Sequence, residues 1–110
     1  MPLFITYVSY SNAGVKGLVE KPSDRSEVVN KLVEKAGGKL LGAFMTTGAH
    51  DAVIVTDMPD GSDAIAIGMA AAASGAVSKI ETVRAWKMGE FKSVAEKASR
   101  LAAVYTPPGK

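Results

Sequence analysis

Met45-Thr46-Thr47-Gly48-Ala49-His50-Asp51-Ala52-Val53-Ile54-Val55-Thr56 sets two β-prone runs on either side of Gly48-Ala49. The arrangement reads as a tight hairpin. Glycine at the first central position suits a type II′ turn, where φ must be positive. A two-residue turn pairs Thr47 with His50, Met45 with Ala52 and Ala43 with Ile54 on one face. Thr46 with Asp51, Phe44 with Val53 and Gly42 with Val55 then share the other. Both rows are largely apolar, whereas a sheet with one wet face alternates apolar and polar residues.

Outward from the hairpin the pattern predicts Lys39 to Thr47 and His50 to Asp57 as its two strands. Upstream, Leu3 to Tyr10 is aromatic and β-branched and predicts a first strand. Ser11-Asn12 offers a cap for a short helical turn over Ala13 to Val19. Ser23 caps a longer helix whose Val28, Val29, Leu32, Val33 and Ala36 share one face, and Gly37-Gly38 ends it. Downstream, Asp60 or Ser62 caps a helix that reaches about Ser74 and stops at Gly75. Val77 to Trp86 predicts a fourth strand. Glu90 to Val104 predicts a last helix with Phe91, Val94, Ala98, Leu101 and Tyr105 on its apolar stripe and a Glu96–Arg100 pair on its exposed side. Residues 1–105 read as a single domain, and Thr106-Pro107-Pro108-Gly109-Lys110 as a loose tail.

Strand-helix-strand-strand-helix-strand is the order of an α+β, ferredoxin-like βαββαβ antiparallel sheet, here with an extra C-terminal helix. Two helices cover one face of such a sheet. The apolar second face therefore calls for a second copy, most simply across a two-fold axis. Ala64 to Ala73 is apolar all round, which predicts burial on every side; the alternative is that its alanines are neutral surface and the last helix covers the rest.

Bulk composition excludes several classes. The 110 residues carry a net charge of +2 with no basic cluster, which argues against nucleic acid. No cysteine is present, so disulfides and thiolate chemistry are absent. No run is long enough to span a bilayer, and the start has no basic leader, so the expectation is a cytoplasmic protein away from membranes. One histidine and no ligand spacing leave metal and cofactor sites without support.

Ser11-Asn12-Ala13-Gly14-Val15, Pro22-Ser23-Asp24-Arg25, Gly37-Gly38-Lys39-Leu40, Thr47-Gly48-Ala49-His50-Asp51 and Met58-Pro59-Asp60, followed by Gly75 and Arg84-Ala85-Trp86, occur in an order that resembles the GYD domain family. The resemblance covers about Pro2 to Phe91. His50 stands where the family's Gly-Tyr-Asp motif has its tyrosine, and Ala49 where an acidic residue often precedes it. The resemblance implies a dimeric α/β barrel, in which two ferredoxin-like sheets face each other. Related barrel families include cofactor-independent monooxygenases, haem-handling enzymes, isomerases and regulatory modules, so it implies a fold and no reaction.

Four residues are candidates for a ligand site: His50, Asp51, Arg84 and Trp86. A histidine held by a carboxylate can act as a base near neutral pH. Neighbours on a strand point to opposite faces, however, and a carboxylate beside a hairpin often satisfies main-chain amides. Arg84 could anchor an anion through its planar fork, or pair with Glu81 or Asp51. Trp86 shares Arg84's side of the strand and could line a pocket or fill an interface.

Two functions compete. One is a non-enzymatic homodimeric module holding a small apolar or anionic ligand. The other is a small cofactor-independent enzyme, monooxygenase- or isomerase-like, with His50, Asp51 and Arg84 converging on the barrel cavity.

Overall fold

The computed structural model describes Met1–Lys110 and has the elements β1 (Leu3–Tyr10), α1 (Asn12–Glu20), α2 (Ser26–Lys35), β2 (Lys39–Met45), β3 (Ala52–Asp57), α3 (Gly61–Ala73), β4 (Val77–Ala85) and α4 (Met88–Ala102). The strands form one antiparallel sheet in the order β2-β3-β1-β4, with β1 at the centre between β3 and β4. This is the α+β, ferredoxin-like arrangement, extended by α1 and α4. No helix is long and apolar enough to cross a membrane.

The hairpin keeps the expected register, with Met45 opposite Ala52, Phe44 opposite Val53, Ala43 opposite Ile54 and Gly42 opposite Val55. Its connection is wider than two residues. The strands end at Met45 and Ala52, and Thr46 closes the loop by donating its N–H to the Asp51 carbonyl at 2.8 Å. The Thr46 hydroxyl also donates to the His50 carbonyl at 2.8 Å, so Thr47 and His50 form no ladder pair. Gly48 holds the positive φ, at 92°. A bulge at Leu41 shifts the register between Leu40 and Gly42.

Capping explains where the helices begin. Ser11 accepts the Gly14 N–H at 3.1 Å and donates its hydroxyl to the Gly75 carbonyl at 2.6 Å, so α1 is a full helix pinned to the turn before β4. Asp24, not Ser23, serves the start of α2, because its carboxylate takes the Ser26 N–H at 2.9 Å. At the other end the Gly38 N–H reaches the Val33 carbonyl and the Gly37 N–H reaches the Glu34 carbonyl, both at 2.9 Å. Gly37 sits at φ 84°, completing a Schellman-type stop. Asp60 caps α3 through the N–H groups of Ser62 and Asp63.

Phe4, Thr6 and Val8 of β1 share the helix-covered face with Thr56, Ile54 and Ala52 of β3 and with Arg84, Thr82 and Ile80 of β4. Leu3, Ile5, Tyr7, Val53, Val55, Val83 and Phe44 lie on the opposite face, which no element of the chain covers. The core is small: Phe4, Val33, Met58 and Ala64, with Val29, Ala36, Leu40 and Ile67 packed around them. Only 8 of 110 residues are buried, and the accessible surface is 7693 Å², against about 5,800 Å² for a folded monomer of this mass.

Two expectations about the helices need correction. α3 buries only Ala64 and Gly68, while Ile65 and Met69 are exposed. Its all-apolar surface reflects alanine content, not burial on every side. α4 does not fold back over α3. It packs along no other element and meets the body through the edge-to-face contact of Trp86 with Phe91, ring centres 5.6 Å apart. The radius of gyration is 17.7 Å and the longest extent 60 Å, against a radius near 13 Å for a compact chain of this length. Phe91, Leu101 and Tyr105 of its stripe stay exposed. Glu96 and Arg100 form no ion pair; the i,i+4 pairs are Lys16–Glu20 at 3.8 Å and Glu27–Lys31 at 3.4 Å, both well exposed.

Candidate functional site

β3 stops at Ala52, two residues short of the end of β1. Asp51 fills the gap. Its N–H donates to the Val8 carbonyl at 2.8 Å, and its carboxylate accepts the Tyr10 N–H at 2.8 Å. The side chain thus continues the ladder that the β3 backbone leaves unfinished, and it satisfies an amide of the neighbouring strand, not one of the hairpin turn. The His50 ring lies against Tyr7, with centroids 4.8 Å apart and planes at 34°. His50 and Asp51 do not bond to each other: both lie in the loop before β3, where the carboxylate is taken by the Tyr10 N–H and the ring lies against Tyr7.

Arg84 stands at the other end of the sheet, opposite Phe4. Its guanidinium lies 4.3 Å from the centre of the Trp86 ring and 5.9 Å from that of Phe4. It donates to the Leu3 carbonyl at 3.3 Å and to the Ala85 carbonyl. Neither Glu81 nor Asp51 pairs with it. A guanidinium held against an indole face gains cation–π attraction and loses little hydration.

His50 and Asp51 therefore form one locus beside Tyr7 and Tyr10, and Arg84 and Trp86 a second beside Leu3 and Phe4. The loci are three to seven strand positions apart along β1, about 10–24 Å. A single chain brings no base, orienting carboxylate and anion anchor into one cavity.

An apolar cavity elsewhere in the fold was missed from the sequence. α2 packs on β2 and α3 on β4, which leaves the centre of the helix-covered face partly unroofed. The opening is an apolar cleft of about 240 Å³. Val8, Ala52 and Ile54 form its floor, Val28 and Leu32 one wall, Ile67 and Ala71 the other. Its cause is small side chains where a filled core needs large ones: Ala43 and Ala52 on the strands and Ala71 on α3. Those three alanines facing one another were the available signal. At one end the cleft meets a second cavity of about 430 Å³ under α1, and Tyr10, Leu18, Ser23 and Arg25 border both. None of His50, Asp51, Arg84 and Trp86 lines either space.

A family model for the GYD domain matches residues 4–95. The chain belongs to the GYD domain family. This GYD domain is also similar in fold to the crystal structure of TTHA0845 from Thermus thermophilus, with a TM-score of 0.50 and 14% identity over 79% of this chain and 95% of that one. No curated protein matches it. In this GYD domain the stretch Gly48-Ala49-His50-Asp51 is a fixture of the sheet: glycine turns the chain, and aspartate ties β3 to β1.

Proposed function

We propose that this GYD domain is a non-enzymatic, self-associating module that holds a small, mostly apolar ligand in the cleft between α2 and α3. The apolar cleft carries the binding half of this reading. It is concave, lined by aliphatic side chains and bordered by a few polar groups at one end, as small-molecule sites are. The reading invokes no metal or cofactor, and a cytoplasmic setting accords with the lack of cysteine.

The excess surface supports the other half. Two copies meet through their open sheet faces around a two-fold axis, forming a dimeric α/β barrel. A four-stranded face of this length covers about 440 Å² per copy, or roughly 900 Å² for the pair. Stable interfaces remove about 1,200–2,000 Å². The free apolar stripe of α4 supplies the difference by reaching onto the partner.

Light scattering across a dilution series tests the assembly, and a two-subunit mass is expected at micromolar concentration. A single-subunit mass throughout would sink it. Titration with small apolar compounds, followed by amide chemical shifts, tests the cleft: saturable shifts at Val28, Ile54 and Ala71 are expected, and their absence refutes binding.

A further inference from the structure

The two cavities differ in chemistry, and the difference specifies a ligand. The inner one has 15 hydrophobic residues among the 19 that line it. The outer one has 4 among 10, and adds Lys21 to the Arg25, Ser23 and Tyr10 that it shares with the inner one. Lys21 and Arg25 have no carboxylate partner, because the chain's ion pairs are Lys16–Glu20 and Glu27–Lys31. Of the adjacent acids, Glu20 pairs with Lys16 and Asp24 is turned to the N–H and hydroxyl of Ser26; neither lines either cavity. Two free cations thus stand at the polar mouth of an apolar chamber.

We propose that the cleft takes an amphiphilic acid: a small apolar body inside, and a single carboxylate at the mouth held by Arg25 and Lys21. This deepens the binding reading above and rests on it. A guanidinium fork matches a carboxylate in geometry as well as charge, which favours Arg25 as the principal contact. Sites that bury a drug-sized ligand occupy about 300–1,000 Å³, so a chamber of about 240 Å³ takes a short chain or one ring. Ser23 and Tyr10 border both cavities, and their hydroxyls can donate to the same head group.

The test compares octanoate, octan-1-ol and octylammonium by amide chemical shift and calorimetry, on the full chain and on a Lys21→Gln/Arg25→Gln variant. Both substituted residues are exposed, so the fold is retained. Octanoate is expected to bind at least about ten-fold more tightly than octanol, the difference a charge-assisted contact gives. Octylammonium should bind weakest, and the variant should lose the preference for the acid. Equal affinity for octanol, or an octanoate affinity unchanged in the variant, overturns the acid while leaving the apolar cleft as a binding site. No saturable binding by any of the three overturns both readings. A Val28→Trp variant that lowers the oligomeric mass would assign the cleft to a second copy's helix, and so would also overturn the proposal.

Discussion

The Asp51 carboxylate lies 2.8 Å from the Tyr10 amide nitrogen and stands in for the strand residue that β3 no longer provides. Removing it leaves a half-buried N–H without a partner at the end of the central strand. Asp51→Ala is expected to cost about 1–3 kcal/mol, the range for losing a charged acceptor. A lowered urea midpoint at unchanged slope is the readout. Asp51→Asn, which keeps an acceptor oxygen, recovers part of the loss.

Acid sensitivity should come from two caps. The Ser62 hydroxyl, then the N–H groups of Ser62 and Asp63, hold the Asp60 carboxyl below its ordinary value of 3.8. The Ser26 hydroxyl and N–H do the same for Asp24. A carboxyl whose folded pKa is depressed stabilises the fold fully above its unfolded value and loses that contribution as pH falls through the folded one. Thermal stability should therefore drop below about pH 4, the ordinary carboxylate range. Asparagine caps as well as aspartate, so Asp60→Asn should melt almost unchanged at pH 7 and flatten the acid limb.

Two glycines of α1 should respond oppositely to alanine. A Cβ on Gly14 would stand 2.1 Å from the Ala76 carbonyl oxygen, a backbone atom. Gly14→Ala is expected to push α1 off the β4 turn and cost about 1–3 kcal/mol. Gly17 has nothing within 4 Å of its Cβ position. Gly17→Ala should stabilise by about 0.5–1 kcal/mol through helix propensity. Parallel thermal melts of the two variants decide the matter.

Phe44 is 61% exposed on the open face of an edge strand. Phe44→Glu therefore disturbs little within one chain, but places a charge in the face assigned to the partner. The expected result is a single-subunit mass by light scattering with an unchanged far-ultraviolet dichroism spectrum.

Truncation after Trp86 removes a helix that packs on no other element. Amide spectra of residues 3–85 should keep their dispersion. Self-association should weaken, which sedimentation at matched concentration would detect.

Much of this fold was legible because local signals agreed. The Gly48 turn, the Gly37-Gly38 stop and the Asp60 cap are each written in a few neighbouring residues, and hairpin register followed from them. What stayed hidden was tertiary. Whether Asp51 would satisfy a turn amide or the Tyr10 amide depends on where β3 ends relative to β1. Whether Phe91 and Leu101 bury their stripe depends on where Trp86 aims the chain. Arg84's ring partners were half legible, since Trp86 shares its side of the strand, but Phe4 is far away in sequence. The cleft arises from three alanines on different elements, and no local pattern announces a space between them.

The extra residue at Leu41 also governs how copies can meet. β2 is an outer strand whose far side offers unpaired amides and carbonyls, an invitation to lateral growth. The kink at Leu41 breaks the straight run that an incoming strand would follow, and Lys39 adds a charge at its start. Lateral addition at β2 is thereby disfavoured, which accords with the face-to-face pairing proposed above.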